Sequence, residues 1–147
     1  MYSEKIQSAF NLINGPLIQF MGTRQRQTLK VVLAGEEGDA IADLVINAYN
    51  RIVATPKTYE TEGVEKKIVH LHYFVGNVDA WIIERDVGDT PDSDGMGVQH
   101  QAFGYQSFYG IEEAEMGYIS LPELFKVHAE LDLHFEPIAF KELKERV

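Results

Sequence analysis

Apolar positions in the first third of the chain recur at helical spacing. Ile6, Phe10 and Ile13 fall on one helix face, with Ser3 placed to cap it and Gly15-Pro16 to stop it. After "LIQFMG", Thr23 is positioned to cap a second helix, "RQRQTLKVVLA". That helix closes at Gly35 with Leu29, Val32 and Leu33 on one side. Within "EEGDAIADLVINAYNRIV" the residues Ile41, Leu44, Val45, Ala48, Tyr49 and Ile52 keep the same period behind Asp39, a candidate cap. The β-branched "LVI" leaves strand as the alternative there, but the spacing favours a helix.

Pro56 opens a loop, "TPKTYETEG", and from Lys66 the pattern turns to strands. "KIVHLHYFV" and "DAWIIERD" lie either side of "GNV", a hairpin-sized gap. Beyond the polar "VGDTPDSDGMG" come an aromatic strand, "QHQAFGYQSFYG", and a further strand, "AEMGYISL". Ser120-Leu-Pro-Glu123 has the form of a capping box for the helix "PELFKVHAE". A short strand, "LDLHFEPI", and a closing helical tail, "KELKERV", complete the chain. The pattern predicts an α+β fold over 1–147 as a single globular domain. N-terminal helices (1–52) pack on an antiparallel β-meander (within 64–143), and a short C-terminal helix follows.

Composition changes this picture mainly through charge. At 45% apolar and 24% charged residues, the chain has the make-up of a globular protein. Thirteen basic against 23 acidic residues give a net charge of −10. Counterion release rewards basic surfaces on nucleic acid, so direct nucleic-acid binding is not expected. Zero cysteines exclude disulfides and thiolate chemistry. The sequence shows no secretory leader pattern and no membrane-length apolar run, so a cytoplasmic bacterial protein without membrane association is expected.

Candidate chemistry is sparse. His70 and His72 sit two apart in an apolar strand, where alternation places them on one face with Ile68 and Phe74. Glu84 on the neighbouring strand and His134 in "DLHF" would complete a four-ligand metal set, the alternative reading being a metal-dependent hydrolase. The chain lacks the H-E-x-x-H pattern. "DTPDSDG" resembles part of an EF-hand around Asp92, Asp94 and Gly95, but the first ligand position falls on Thr90 and the twelfth on Gln101. Neither a G-x-S-x-G elbow nor a nucleotide-binding glycine motif occurs, and no cofactor is expected. The aromatics Phe103, Tyr105, Phe108, Tyr109 and Tyr118 lie where no lysine or arginine occurs between residues 86 and 125. A base-stacking platform needs such cations beside it, so sheet packing is favoured. Outward-facing Trp81, Tyr105 and Tyr118 would instead anchor a protein partner.

Several segments, taken in order, resemble an uncharacterised family of small proteins carried on bacterial plasmids, integrative elements and phages. "TRQRQTLKVVLAG" is similar to that family's Thr-led helix, "IVHLHYF" to its first core strand, and "AWIIERD" and "FGY" to two further strands. "EMGYISLPEL" resembles its Glu-x-Gly-Tyr-x-Ser-Leu-x-Glu-Leu element and "LDLHF" its Asp-Leu-His/Tyr-Phe ending. Relative to shorter members, "EEGDAIADLVINAYNRIV" looks like an insertion. Lysine at the His72 position and tyrosine at the His134 position in such relatives tell against the metal set. The resemblance implies a mobile-element setting and no particular reaction. Together these readings lead us to expect an acidic, non-enzymatic accessory protein that works by protein–protein contact. A narrower version is an anti-defence protein that imitates nucleic acid.

Overall fold

The computed structural model describes residues 2–88 and 96–146. Its helices are α1 (Glu4–Ile13), α2 (Thr23–Leu33), α3 (Gly38–Ala54), α4 (Leu121–Lys126) and α5 (Phe140–Glu145). The strands are β1 (Ile68–Val69), β2 (Leu71–Val75), β3 (Val78–Glu84), β4 (Gln101–Ser107), β5 (Glu115–Ser120), β6 (Glu130–Leu131) and β7 (Ile138–Ala139). The expected α+β architecture is present, with α1–α3 packed on an antiparallel sheet and α5 last. Asp92, Asp94 and Gly95 of the EF-hand-like stretch lie outside the described residues. Among the described residues no helix is long and apolar enough to cross a membrane.

Local capping explains some boundaries and not others. The Ser3 hydroxyl accepts from the Ile6 amide and donates to Asp39 at 2.7 Å, so one side chain starts α1 and ties it to α3. Thr23 does not cap α2. Gly22 takes the cap position, and the Thr23 hydroxyl accepts from Arg26 within the helix. Asp39 likewise lies inside the first turn of α3, where its carboxylate serves Ser3. Ser120 caps α4 as expected through the Glu123 amide, but the helix is shorter than "PELFKVHAE". It ends at Lys126, and His128 follows in a left-handed conformation with φ 64°.

The main sheet runs β5-β4-β3-β2-β6. Its inner face carries Leu71, Tyr73, Ala80, Ile82, Ala102, Ile119 and Leu131. These residues join Ile13, Leu17, Phe20, Leu33, Val45 and Ile52 of the helical layer in one buried cluster. Tyr73 is fully buried, and its hydroxyl donates to the Phe20 carbonyl at 2.6 Å. Burial pushes that phenol far above its ordinary pKa, so it stays a neutral donor. Gly104 lies opposite Ile82, beside a register shift between Ile82 and Glu84. A Cβ there would fall 2.0 Å from the Trp81 carbonyl oxygen, so the close strand approach admits only glycine.

The two ends of the sheet are finished differently. At the β6 end, the buried Gln25 of α2 reaches the outer backbone of Leu131. Its amide nitrogen donates to the Leu131 carbonyl and its amide oxygen accepts from the Leu131 N–H, each at 2.9 Å. A side chain thus supplies the hydrogen bonds of a missing strand. At the other end β5 pairs, among the described residues, with β4 only, and it carries exposed Met116 and Tyr118.

The predicted strand "KIVHLHYFV" is broken at His70. Val69 packs with Trp81 and Phe140, whereas Leu71 joins the helix-side core. Unbroken alternation would place both on one face. β1 instead leaves the main sheet and pairs with β7. The expected strand "LDLHFEPI" is split as well. Asp132 accepts from the His134 amide in a local turn that ends β6, and pairing resumes only at Ile138.

Candidate functional site

The outer sheet face is divided between two covers. The C-terminal segment covers the first half. Phe140 stacks on Tyr105 with centroids 3.5 Å apart and planes 2° from parallel, and it meets Trp81 edge-on at 6.2 Å. Trp81 is 6% exposed and packs with Val69, Ile111 and Phe140. It is therefore a core residue and not the surface anchor its sequence position implies. Tyr105 is half-buried under the same ring, so it too is taken up within the chain. Lys144 closes this stack from above, 5.7 Å from the Phe140 centroid.

His72 stands at the margin of that cover. Its Nε2 lies 2.7 Å from Asp79 and its Nδ1 3.1 Å from Asp132. The imidazole stacks against Trp81 at 9°, with Phe74 and Phe135 completing its surroundings. A neutral ring satisfies one of the two carboxylates and an imidazolium satisfies both. The residue acts as a strut that ties β2 to β3 and to the turn after β6. Sequence reading missed Asp79 and Asp132 as its partners.

The loop before β1 covers part of the second half, and Glu84 holds it there. This carboxylate is 4% exposed and accepts from the Tyr59 amide, the Thr61 amide and the Thr61 hydroxyl. Burial pushes Glu84 up, but those hydrogen bonds and the nearby Lys67 charge outweigh it, leaving the group below its usual range. Lys67 is itself fixed by donation to the Thr61 carbonyl at 2.7 Å. The same hydrogen bond from Tyr59 holds its backbone at φ 74°, a left-handed conformation that tyrosine rarely adopts. The Tyr59 hydroxyl then accepts from that of Tyr118 at 3.1 Å.

The proposed metal ligands do not converge. Glu84 is engaged by the Tyr59–Thr61 backbone and His72 by two aspartates, while His134 is exposed on its turn. His70 sits at the strand break, where burial lowers its pKa below the ordinary imidazole value. Among the described residues no group of three or more His, Asp or Glu side chains is disposed to hold a metal ion. The physical reason lies in the bend at His70, which removes the shared face that the spacing implies.

Of the three aromatic anchors read from sequence, Tyr118 alone is largely exposed, at 53%. Its strand is flanked by two hollows. One, of about 240 Å³, is lined by Tyr59, Glu62, Lys67, Glu84, Phe103 and Tyr118. The other, of about 350 Å³, is lined by residues of both strand parities, Met116 and Tyr118 as well as Gly117 and Ile119, together with Phe108, Tyr109 and Glu113. Exposed Glu112, Glu113 and Glu115 run along this edge. Tyr118 feels Glu84 and Glu62 as well as its bond to Tyr59, and its phenol pKa is raised, the hydrogen bond being the largest cause. Tyr59 and Glu62 were missed as site residues because their loop reaches the sheet through contacts distant in sequence, to Glu84, Arg85 and Tyr118.

Comparison of the chain with protein-family models, curated protein sequences and solved structures finds no match.

Proposed function

We propose that the protein is an acidic, non-enzymatic interaction module that adds an extended basic segment of a partner protein to its sheet along β5. The observation that carries this reading is the asymmetry of the sheet. Gln25 satisfies the β6 end from within, whereas β5 ends the sheet with Met116 and Tyr118 exposed and hollows at residues of both parities. An added strand would continue the sheet's hydrogen bonding along β5 and set its side chains beside these hollows. Charge complementarity supports a basic occupant, since Glu112, Glu113 and Glu115 lie beside this edge and no lysine or arginine occurs from residue 86 to 125. A second copy of the chain would bring like charges together, which disfavours self-pairing.

The resemblance to a mobile-element family supplies the biological setting of this proposal. The exposed glutamates along β5 favour a narrower version, in which they stand before the basic groove of a host nuclease as phosphates would. The test begins with a photo-crosslinking residue in place of the exposed Tyr109, beside β5, to identify the partner, followed by binding of the purified pair. The affinity is expected to fall at least tenfold between about 50 and 500 mM salt and on Tyr118→Ala. Binding that ignores both changes would refute the reading. Competition by DNA for the partner would support the narrower version, and DNA binding by the protein itself would refute it.

A further inference from the structure

We infer that the hollow between Tyr59, Phe103 and Tyr118 is a receptor for one guanidinium group, the arginine of a basic partner segment lying along β5. The inference rests on the β5 reading above and gives it a chemical anchor. Three aromatic side chains line the hollow, with Phe103 and Tyr118 edge-to-face at 5.5 Å and 69°. Aromatic ring faces carry the negative side of the ring quadrupole, which attracts a weakly hydrated planar cation.

The fixed charges point the same way. Lys67 and Glu84 offset each other, and both are already bound to the loop backbone. Glu62, also lining the hollow, is exposed and leaves it with one surplus negative charge. A volume of about 240 Å³ takes a guanidinium and part of its methylene stem, and Met116 offers an apolar contact for that stem. The loop is held ready for this. Buried Glu84 fixes Tyr59 in its left-handed backbone conformation, and that conformation brings its hydroxyl to Tyr118. A small apolar or anionic ligand would need neither Glu62 nor the surplus charge.

The test is an NMR titration of the intact protein with Nα-acetyl-argininamide, read at the Met116 methyl and the Tyr118 ring. Nα-acetyl-citrullinamide, neutral and nearly isosteric, is the control. Saturable shifts with the arginine compound, at least fivefold weaker with citrulline, are expected. Glu62→Gln and Tyr118→Leu, both at exposed positions, are expected to weaken the arginine response roughly three- to tenfold. Equal binding of the two compounds, or no saturable response up to about 50 mM, overturns the inference. A separate readout distinguishes this from failure of the β5 reading. If the crosslinked partner still protects β5 amides from exchange while argininamide does not bind, only the guanidinium receptor falls.

Discussion

Replacing Gln25 by leucine tests the claim that a side chain closes the β6 end of the sheet. Gln25 is 8% exposed and makes two hydrogen bonds of 2.9 Å to Leu131, itself 2% exposed. Leucine has nearly the same reach but offers neither donor nor acceptor. Both backbone groups of Leu131 would be stranded where water has little access, at about 1–3 kcal/mol each. The added apolar burial of leucine returns roughly 1 kcal/mol. The net loss is therefore about 1–5 kcal/mol. With an unfolding entropy of about 2.1 cal/mol/K per residue, the midpoint entropy of this chain is roughly 0.3 kcal/mol/K, so Tm should fall by about 3–17 °C. Equilibrium urea unfolding gives the free energy directly, and hydrogen exchange should show the Leu131 amide losing protection first. A loss below about 0.5 kcal/mol, with Leu131 protection intact, would mean that water already serves these groups and that the end is not sealed.

Phe140→Ala should uncover the only tryptophan in the chain. A loss of about 3–5 kcal/mol is expected, with a red shift of Trp81 emission in the folded state. Unchanged emission would show that α5 is not its cover. Acidification should reveal two groups of opposite chemical type acting in the same direction. The folded pKa of His70 is depressed, so the unfolded chain takes up the proton first. Its contribution is complete above about pH 6.5 and is lost as pH falls towards the folded value. Glu84 is also depressed, so its contribution is present above the unfolded carboxylate value of about 4.3 and is lost as pH falls through the folded one. Urea midpoints of wild type and His70→Gln should therefore converge between pH 7 and 5, and those of wild type and Glu84→Gln only below pH 4.5. Parallel curves in either comparison would contradict the assignment.

Local patterns reveal much of this fold in advance. Ile6, Phe10 and Ile13, and Ala48 with Ile52, announce their helices because helical periodicity is written in neighbouring residues. Ser3 and Ser120 announce their helix starts for the same reason. The bend at His70 is invisible because "IVHLHYF" is uniformly suited to a strand. What breaks it is the pairing of Ile68 and Val69 with Ala139 and Ile138, far along the chain. Trp81 reads as an anchor until Phe140 arrives over it from the C-terminal segment. The aromatic hollow was only partly legible. Tyr118 stands out in its strand, but Tyr59 joins it through a carboxylate that also looked like a metal ligand.

A sheet with one finished end has a limited capacity for growth. Once β5 has accepted a strand from another molecule, the glutamine at the far side offers that molecule no second place to attach. Stacking of successive chains into a ribbon is thereby blocked after the first step. If β5 takes up a partner strand as proposed, discrete one-to-one assemblies are the expected product in preference to polymers.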